Sequence, residues 1–433
     1  MYQSVKLFIE RSNLSLIVII LLSFILLSVS YLGFQSWQRG YADIHLYLDA
    51  AAIVLNGADP YSTVIHAKSF LYSPTFAVLI SPLTFLNNPW LLSFWMSIHL
   101  LILVFIYKLI FEWFEFKQIN QKRYFLAFSL LLVFLPIVAD IQEGQVNLIV
   151  TLQIALGLRS YERRDNLITA ICFASAALIK FQALIFIIPF LFAKRFKTSV
   201  YIICTYLGLL FLFPFILEVL KGNFISAFTH SLELNNSYFS NVLLKALSGS
   251  IAGREEFYLS NYSISAVFNR LFAQDVVLHP YLKLPQSTPL LFSINQEMLL
   301  AIVLVIKILL LGFALKLTYQ VRNESTQLRM ASILLYLVLQ LASPTCWEHH
   351  LVSLILLSPI LFLGTKEPRL KSFHFITIAF LMLCTSALYF VAWLGEILNT
   401  NLSQVLLTTR LYGLPLFALI ALFLVQLLRV KRY

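Results

Sequence analysis

The chain has 433 residues, of which 60% are hydrophobic and 12% charged, with a formal net charge of +11. A soluble domain carries about 25% charged residues, so the composition excludes an ordinary water-soluble fold. The positive balance does not point to nucleic acid, because the basic residues sit in short clusters between apolar runs rather than on one face or tail.

In chain order the long apolar runs are Leu14–Gly33, Leu91–Leu109, Tyr124–Val138, Ser199–Leu217, Leu299–Leu317, Phe373–Leu394 and Val405–Leu428. Each is close to the roughly 20 residues that cross a hydrocarbon core. The first is too long for a signal-peptide core, and further spans follow it, so an uncleaved first helix is expected. Cytoplasmic loops are enriched in Lys and Arg. Assigning alternate sides places Lys6 and Arg11, Lys117–Arg123, Arg159–Arg164, Lys194–Lys197, Lys316–Arg329, Lys366–Lys371 and Arg429–Arg432 inside. The turns Asp140–Gln145 and Ser343–His349 then face out and carry no Lys or Arg. This alternation predicts an all-α polytopic membrane protein, one domain over residues 1–433, with about twelve transmembrane helices and both termini cytoplasmic. Shorter spans are expected around Val146–Leu158 and Gln182–Phe192. Two outer segments are long, at about residues 35–71 and about residues 218–295. No internal repeat of the kind that marks many transporters is present. Cys172, Cys204, Cys346 and Cys384 lie in or beside apolar runs and read as small buried apolar residues.

Polar residues concentrate in the outer segments. Asp43, Tyr47 and Ala50–Ala51 recur at helical spacing, and Gly57 followed by Pro60 ends the pattern. A short helix at the membrane surface is therefore expected, with Asp43 near its start. That carboxylate either complements the helix dipole or serves as a general base aimed into a cavity. In Tyr72–Leu83, Pro74 and Pro82 bracket an apolar stretch too short to span, so a half-helix fits. The turn from Asp140 to Asn147 is unusually polar, and Gln145 and Asn147 are suited to hydrogen-bond sugar hydroxyls. Lys180 is the one basic residue between Arg164 and Lys194, and either snorkels to the interface or binds a lipid-linked phosphate. The turn Ser343–Leu351 holds Trp347, Glu348, His349 and His350. Adjacent histidines do not share a helix face, so this pair alone makes no metal site, but one of them can bind phosphate or relay a proton. There is no D-x-D triplet, P-loop, Gly-rich dinucleotide fingerprint or H-E-x-x-H, hence no expected cofactor or metal.

In this order, Asp43-x-x-x-Tyr47 with Gly57-Ala-Asp-Pro-Tyr61, Tyr72-Ser-Pro74 with Pro82, Gly144-Gln-Val-Asn147, Lys180, Asn261-Tyr-Ser263 with Arg270, and Ser343-Pro344 with Trp347-Glu-His-His350 resemble glycosyltransferase family 87. Its members are polyprenyl-phosphate-sugar-dependent mannosyl- and arabinofuranosyltransferases of the C-type superfold. One departure is Phe181, where the family usually has proline after the lysine. The resemblance implies Asp43 as catalytic base, and Lys180 with His349 or His350 at the donor phosphate. It implies Tyr47, Tyr61, Gln145, Asn147 and Arg270 around sugar and acceptor. The implied partners are a polyprenyl-phosphate-sugar donor, most simply a mannose donor, a glycolipid or glycan acceptor, and membrane lipids. The expected location is the bacterial cytoplasmic membrane with the site on its periplasmic face. Two other readings stand beside this one. Lys307, inside an apolar run, suggests a transporter or flippase for a lipid-linked sugar. Arg254 and Arg270 in the long outer segment suggest a polysaccharide polymerase or ligase.

Overall fold

The structure, a computed structural model, describes residues 42–62, 69–114, 118–222, 224–248, 259–273, 291–363, 368–382 and 412–430, together with residues 37, 65, 116 and 410. The expected first span Leu14–Gly33, both extreme termini, most of Phe373–Leu394, and Arg254 lie outside the described residues.

The described chain is helical. Its elements are α1 (Asp43–Leu55), α2 (Pro74–Ile80), α3 (Asn88–Trp113), α4 (Ile119–Leu132), α5 (Phe134–Gln142), α6 (Asn147–Glu162), α7 (Asn166–Ile179), α8 (Ile187–Phe192), α9 (Phe196–Leu220), α10 (Phe224–Tyr238), α11 (Leu244–Ser248), α12 (Ile264–Phe272), α13 (Gln296–Gln320), α14 (Ser325–Ala342), α15 (Ser358–Leu363), α16 (Pro368–Met382) and α17 (Leu414–Val430). Short 3-10 segments, Phe181–Phe186 and Glu348–Leu356, lead into α8 and α15. Among the described residues the β-pairing is an isolated bridge between Asn261 and Trp347.

Four of these helices are long and apolar enough to cross a membrane: α3, α9, α13 and α14. A fifth span is formed if Asn120–Leu132 and Phe134–Gln142 are taken together across their 57° bend. The bend has a local cause: Pro136 lacks an N–H and its ring crowds the carbonyl one turn earlier. The outward faces carry large apolar groups, such as Leu101, Val104 and Phe105 on α3 and Leu304, Ile308 and Leu309 on α13. Such faces are costly in water and at no disadvantage against acyl chains. The protein is therefore a multi-pass membrane protein. The remaining apolar helices are short: Pro74–Phe85, Asn166–Ile179, Phe181–Phe192 and Leu414–Val425. The half-helix expected from the bracketing prolines is α2. Pro74 sits in its first turn, and the Ser73 hydroxyl accepts the Phe76 N–H at 3.2 Å.

Local chemistry also fixes the ends that matter for the site. Asp165 caps α7 through the Ile168 N–H at 3.0 Å, and Ser263 caps α12 through Ala266 N–H at 3.2 Å. Lys221, at the end of α9, donates to the terminal carbonyl of Val54 on α1 at 3.1 Å, and also to Glu218 at 2.6 Å. The segment after α1 is held by Asp59, which accepts the Tyr61 N–H at 2.8 Å and the Ser237 hydroxyl of α10 at 2.6 Å. Lys307 lies on α13 and donates to Ser265 on α12 at 2.6 Å, a helix–helix hydrogen bond. Its charge thus has a packing role and gives no support to a transport pathway.

The buried apolar side chains form two clusters. The larger runs through α3 to α9 and α12 to α17. The smaller gathers around α1 and α2, with Trp37, Tyr47, Phe76, Trp95, Val146 and Leu234. Val146 brings the turn between α5 and α6 into the smaller cluster while Ile141 and Leu148 on either side of it belong to the larger. The polar turn Gln142–Asn147 therefore lies on the seam.

At another end of the bundle, Arg329 of α14 is 4% exposed, pairs with Glu162 of α6, and stacks over the Trp113 ring at 4.5 Å. Removing one partner leaves the other charge in a poorly hydrated place. Arg329→Ala is expected to cost about 3 kcal/mol in detergent unfolding titrations. The double variant with Glu162→Ala should regain part of that loss. Equal stability of the two variants would show that the pair contributes nothing beyond packing.

Candidate active site

The site grows from one turn. Gly144 has φ +65°, a conformation natural to glycine. A Cβ there would stand 2.8 Å from Cβ of Ile44. The missing side chain lets the turn seat directly on the first turn of α1. That contact is reinforced by the Asp43 N–H, which donates to the Glu143 carbonyl at 2.7 Å. The next residue, Gln145, is 3% exposed and its N–H donates to the Asp140 carbonyl at 2.7 Å.

Gln145 uses its side chain twice. Its amide Nε2 donates to the Asp43 carboxylate. Its Oε1 accepts from the Tyr47 hydroxyl at 3.2 Å and from the Tyr72 hydroxyl at 3.5 Å. The two hydroxyls meet at 2.7 Å, and the Tyr61 hydroxyl donates to the Tyr72 carbonyl at 2.7 Å. Tyr47 is fully buried, and its hydroxyl is pushed well above the usual pKa by burial, then by Tyr72 and Asp43. It stays a neutral donor. Asp43 itself is only partly buried. The result is an accessible carboxylate backed by a buried amide and a ring of tyrosines.

Behind the turn lies Asp140, fully buried. Its carboxylate accepts from the Asn147 side-chain amide at 2.7 Å, from the Asn147 N–H at 3.2 Å and from the Leu148 N–H at 3.1 Å. His99 of α3, also fully buried, completes it with Nε2 at 3.3 Å from Asp140 and 3.1 Å from the Gln145 carbonyl.

Lys180 enters from the break between α7 and the 3-10 segment that follows. Its backbone is extended there, at φ −130° and ψ 102°, and its N–H still closes the helix on the Ala176 carbonyl at 2.7 Å. Burial pushes its ammonium down to about 8, while Asp140, Cys346 and Asp43 pull the other way. The turn after α14 brings His349 within electrostatic reach of Asp140 and His350 within reach of Lys180. The His350 Nδ1 faces the Trp347 N–H at 3.3 Å, and the two imidazoles meet edge to face at 4.8 Å.

The Asn261–Ser263 stretch is a staple for that turn. Asn261 Oδ1 accepts the Cys346 N–H at 2.9 Å, and its Nδ2 donates to the Pro344 carbonyl at 3.2 Å. Ser263 donates to the same carbonyl at 2.8 Å. Tyr262 bonds the Cys346 carbonyl through its N–H at 2.7 Å and Glu348 through its hydroxyl at 2.6 Å. Arg410 pairs with Glu348. Arg270 is fully buried in this joint, its guanidinium on the carbonyls of Asn261 at 3.1 Å and Arg410 at 3.5 Å.

The structure therefore joins Asp43, Tyr47, Tyr61, Tyr72 and Gln145 in one hydrogen-bonded set, with Lys180 within electrostatic reach of Asp43 and Asp140, His349 of Asp140, and His350 of Lys180. Asn147 is turned to Asp140, and Arg270 is engaged in the staple. Tyr72, Asp140 and His99 belong to the site although sequence patterning gave them no role. A histidine in the middle of the apolar run Leu91–Leu109 was the available signal for His99. Among the described residues no group of three His, Cys, Asp or Glu is arranged to hold a metal ion.

The seating of the turn is testable. Gly144→Ala meets both a left-handed backbone and the Ile44 side chain, and is expected to cost about 1–3 kcal/mol. Gly57→Ala meets only the backbone penalty, since nothing lies within 4 Å of its Cβ position. Thermal unfolding of the two purified variants should rank them in that order; the reverse ranking would contradict the packing described.

Comparison with known proteins agrees with the geometry. The family model for glycosyltransferase family 87 matches residues 70–344. The matched stretch holds Tyr72, Asp140, Gln145, Asn147, Lys180 and the Asn261–Ser263 staple; Asp43 lies before it and the two histidines after it. No curated protein matches the chain. The matched stretch exceeds half of the chain, and the chain belongs to glycosyltransferase family 87.

Proposed function

We propose that this membrane glycosyltransferase moves a sugar, mannose in the first instance, from a polyprenyl-phosphate donor to a hydroxyl of a glycolipid or glycan acceptor, on the periplasmic face of a bacterial cytoplasmic membrane. The observation that carries the reading is one partly exposed carboxylate, Asp43, held in orientation by the buried Gln145 amide and its tyrosine ring.

The chemistry needs little more. A polyprenyl phosphate is a competent leaving group without protonation. The acceptor hydroxyl attacks the anomeric carbon as Asp43 takes its proton, the bond from that carbon to the phosphate oxygen breaks, and the electron pair leaves with the phosphate. Lys180, assisted by His349 or His350, meets the charge on the departing phosphate. Gln145 holds the Asp43 carboxylate in one orientation, and Tyr47 and Tyr61 shape the sugar-side wall. In this reading Asp43 acts as base and no carboxylate acts as nucleophile, so the transfer is a single displacement with inversion.

Asp43→Asn keeps the size and the contact with Gln145 but removes the base. Turnover with polyprenyl-phosphate mannose is expected to fall about 10²–10⁴-fold with little change in donor KM. Unchanged turnover would remove Asp43 from this role. The lysine gives a pH dependence with a fixed sign. Its proton is present below a pKa of about 8 and is lost above it, so donor KM should rise as pH increases through that value. Lys180→Arg should flatten the rise, because guanidinium stays charged throughout.

A further inference from the structure

Two rulers set the depth of the site. α9 runs 25 residues from Phe196 to Leu220, roughly 37 Å at 1.5 Å per residue. Ile203, Leu207, Leu212, Ile216 and Leu220 are exposed along it, so its last turns stand against acyl chains as its first ones do. α7 starts at the same level, where Thr198 donates to Asn166 at 2.6 Å, but ends after 14 residues, just before Lys180. α2 gives the same level from the other side. Thr75 donates to the carbonyls of Leu209 at 3.0 Å and Leu210 at 3.2 Å, and the Ser73 N–H reaches the Leu178 carbonyl at 3.4 Å. From Leu210 to Leu220, α9 climbs about 15 Å further. The site is sunk by that distance below the far end of the span.

α10 covers the drop. The chain reverses at Gly222, φ +85°, and α10 descends antiparallel to α9. Phe224 meets Phe215 at 6.4 Å, Phe228 meets Phe211 at 5.3 Å, and Asn235 donates to the Leu210 carbonyl at 3.2 Å. At its foot the Tyr238 ring lies 5.7 Å from that of Tyr61. The outward surface of α10 is split in two. Phe224, Ile225, Phe228 and Leu232 are exposed on one side, continuous with the lipid-facing side of α9. Thr229, Glu233 and Asn236, spaced i, i+4 and i+7, are exposed on the other. Among the described residues these three side chains have no hydrogen-bond or ion-pair partner. A carboxylate and an amide at this depth gain nothing from acyl chains. Ser237, one turn beyond Glu233, ties the edge of the stripe to Asp59 at 2.6 Å, and so to the segment that carries Tyr61.

We propose that Thr229, Glu233 and Asn236 form a subsite for the polyol headgroup of a membrane-anchored glycolipid, the acceptor of the transfer. The proposal rests on the glycosyl-transfer reading above and narrows its acceptor to a lipid. A headgroup anchored in the same leaflet reaches a sunken site without leaving the membrane. Glu233 accepts hydrogen bonds from sugar hydroxyls, and Asn236 both donates and accepts. The charge on Glu233 also selects against an anionic headgroup.

The test uses the full-length protein in nanodiscs holding dimannosyl diacylglycerol and phosphatidylglycerol in equal amounts, with the lipids retained by the protein counted by native mass spectrometry. Wild type should retain the glycolipid in preference. Glu233→Gln combined with Asn236→Ala should lower that preference about tenfold, the loss of one charge-assisted hydrogen bond. No preference in wild type, or an unaltered preference in the double variant, would overturn the proposal. If the double variant does not fold, Glu233→Gln alone, at an exposed position, decides in the same direction. A nitroxide on Phe228→Cys should be relaxed more by oxygen, and one on Asn236→Cys more by a water-soluble nickel chelate. Lipid-type relaxation at Asn236 would overturn the proposal as well. Affinity for polyprenyl phosphate separates the two levels of argument. The double variant should match wild type, and weakened binding would move the stripe to the donor and sink the acceptor subsite. Failure of wild type to bind polyprenyl phosphate would sink the donor assignment made above, while the headgroup preference would still decide the subsite.

Discussion

The hydrogen bond from Gln145 to Asp43 is the interaction on which the rest of the site depends. It joins a surface helix, α1, to a turn inside the helical bundle, and it exists because Gly144 lets the two backbones approach. On one side of that bond, Tyr47 and Tyr72 saturate the remaining amide oxygen. On the other, Asp140 and His99 fix the turn from behind. A carboxylate on a surface helix would ordinarily rotate among conformers, and a base must be aimed to be effective. Here the aim comes from a buried amide that has no freedom of its own.

The same economy governs charge. A membrane protein pays heavily for ionised groups away from water, yet this site gathers two carboxylates, a lysine and three histidines. They are tolerable because the carboxylates of Asp43 and Asp140 have amide donors. Burial still lowers the lysine's proton affinity.

Much of this was legible in the sequence, for reasons that can be traced to particular residues. The helix from Asp43 and its end before Gly57 followed from the spacing of Tyr47 and Ala50–Ala51 and from a glycine that adopts φ +74°. The half-helix at Pro74 followed from proline chemistry. The apolar runs located α3, α9 and α13, because span length is set by the bilayer, and each helix extends three or four residues beyond its run at either end. What patterning could not give was pairing across the chain. Asn147 reads as a sugar ligand until its amide is seen on Asp140, and Arg270 reads as a free cation in a long segment until it is seen engaged in the staple. His99 was hidden because a single polar residue in an apolar helix has many uses, and only its contacts with Asp140 and Gln145 choose among them.

The proposed roles, Asp43 as base and Lys180 at the donor phosphate with no carboxylate acting as nucleophile, amount to a single displacement. The most direct test is the anomeric configuration of the product formed by the purified enzyme from β-configured polyprenyl-phosphate mannose, read by the one-bond carbon–proton coupling in NMR. The account predicts an α-linked product, the inverted configuration. A β-linked product would require a double displacement and would contradict it.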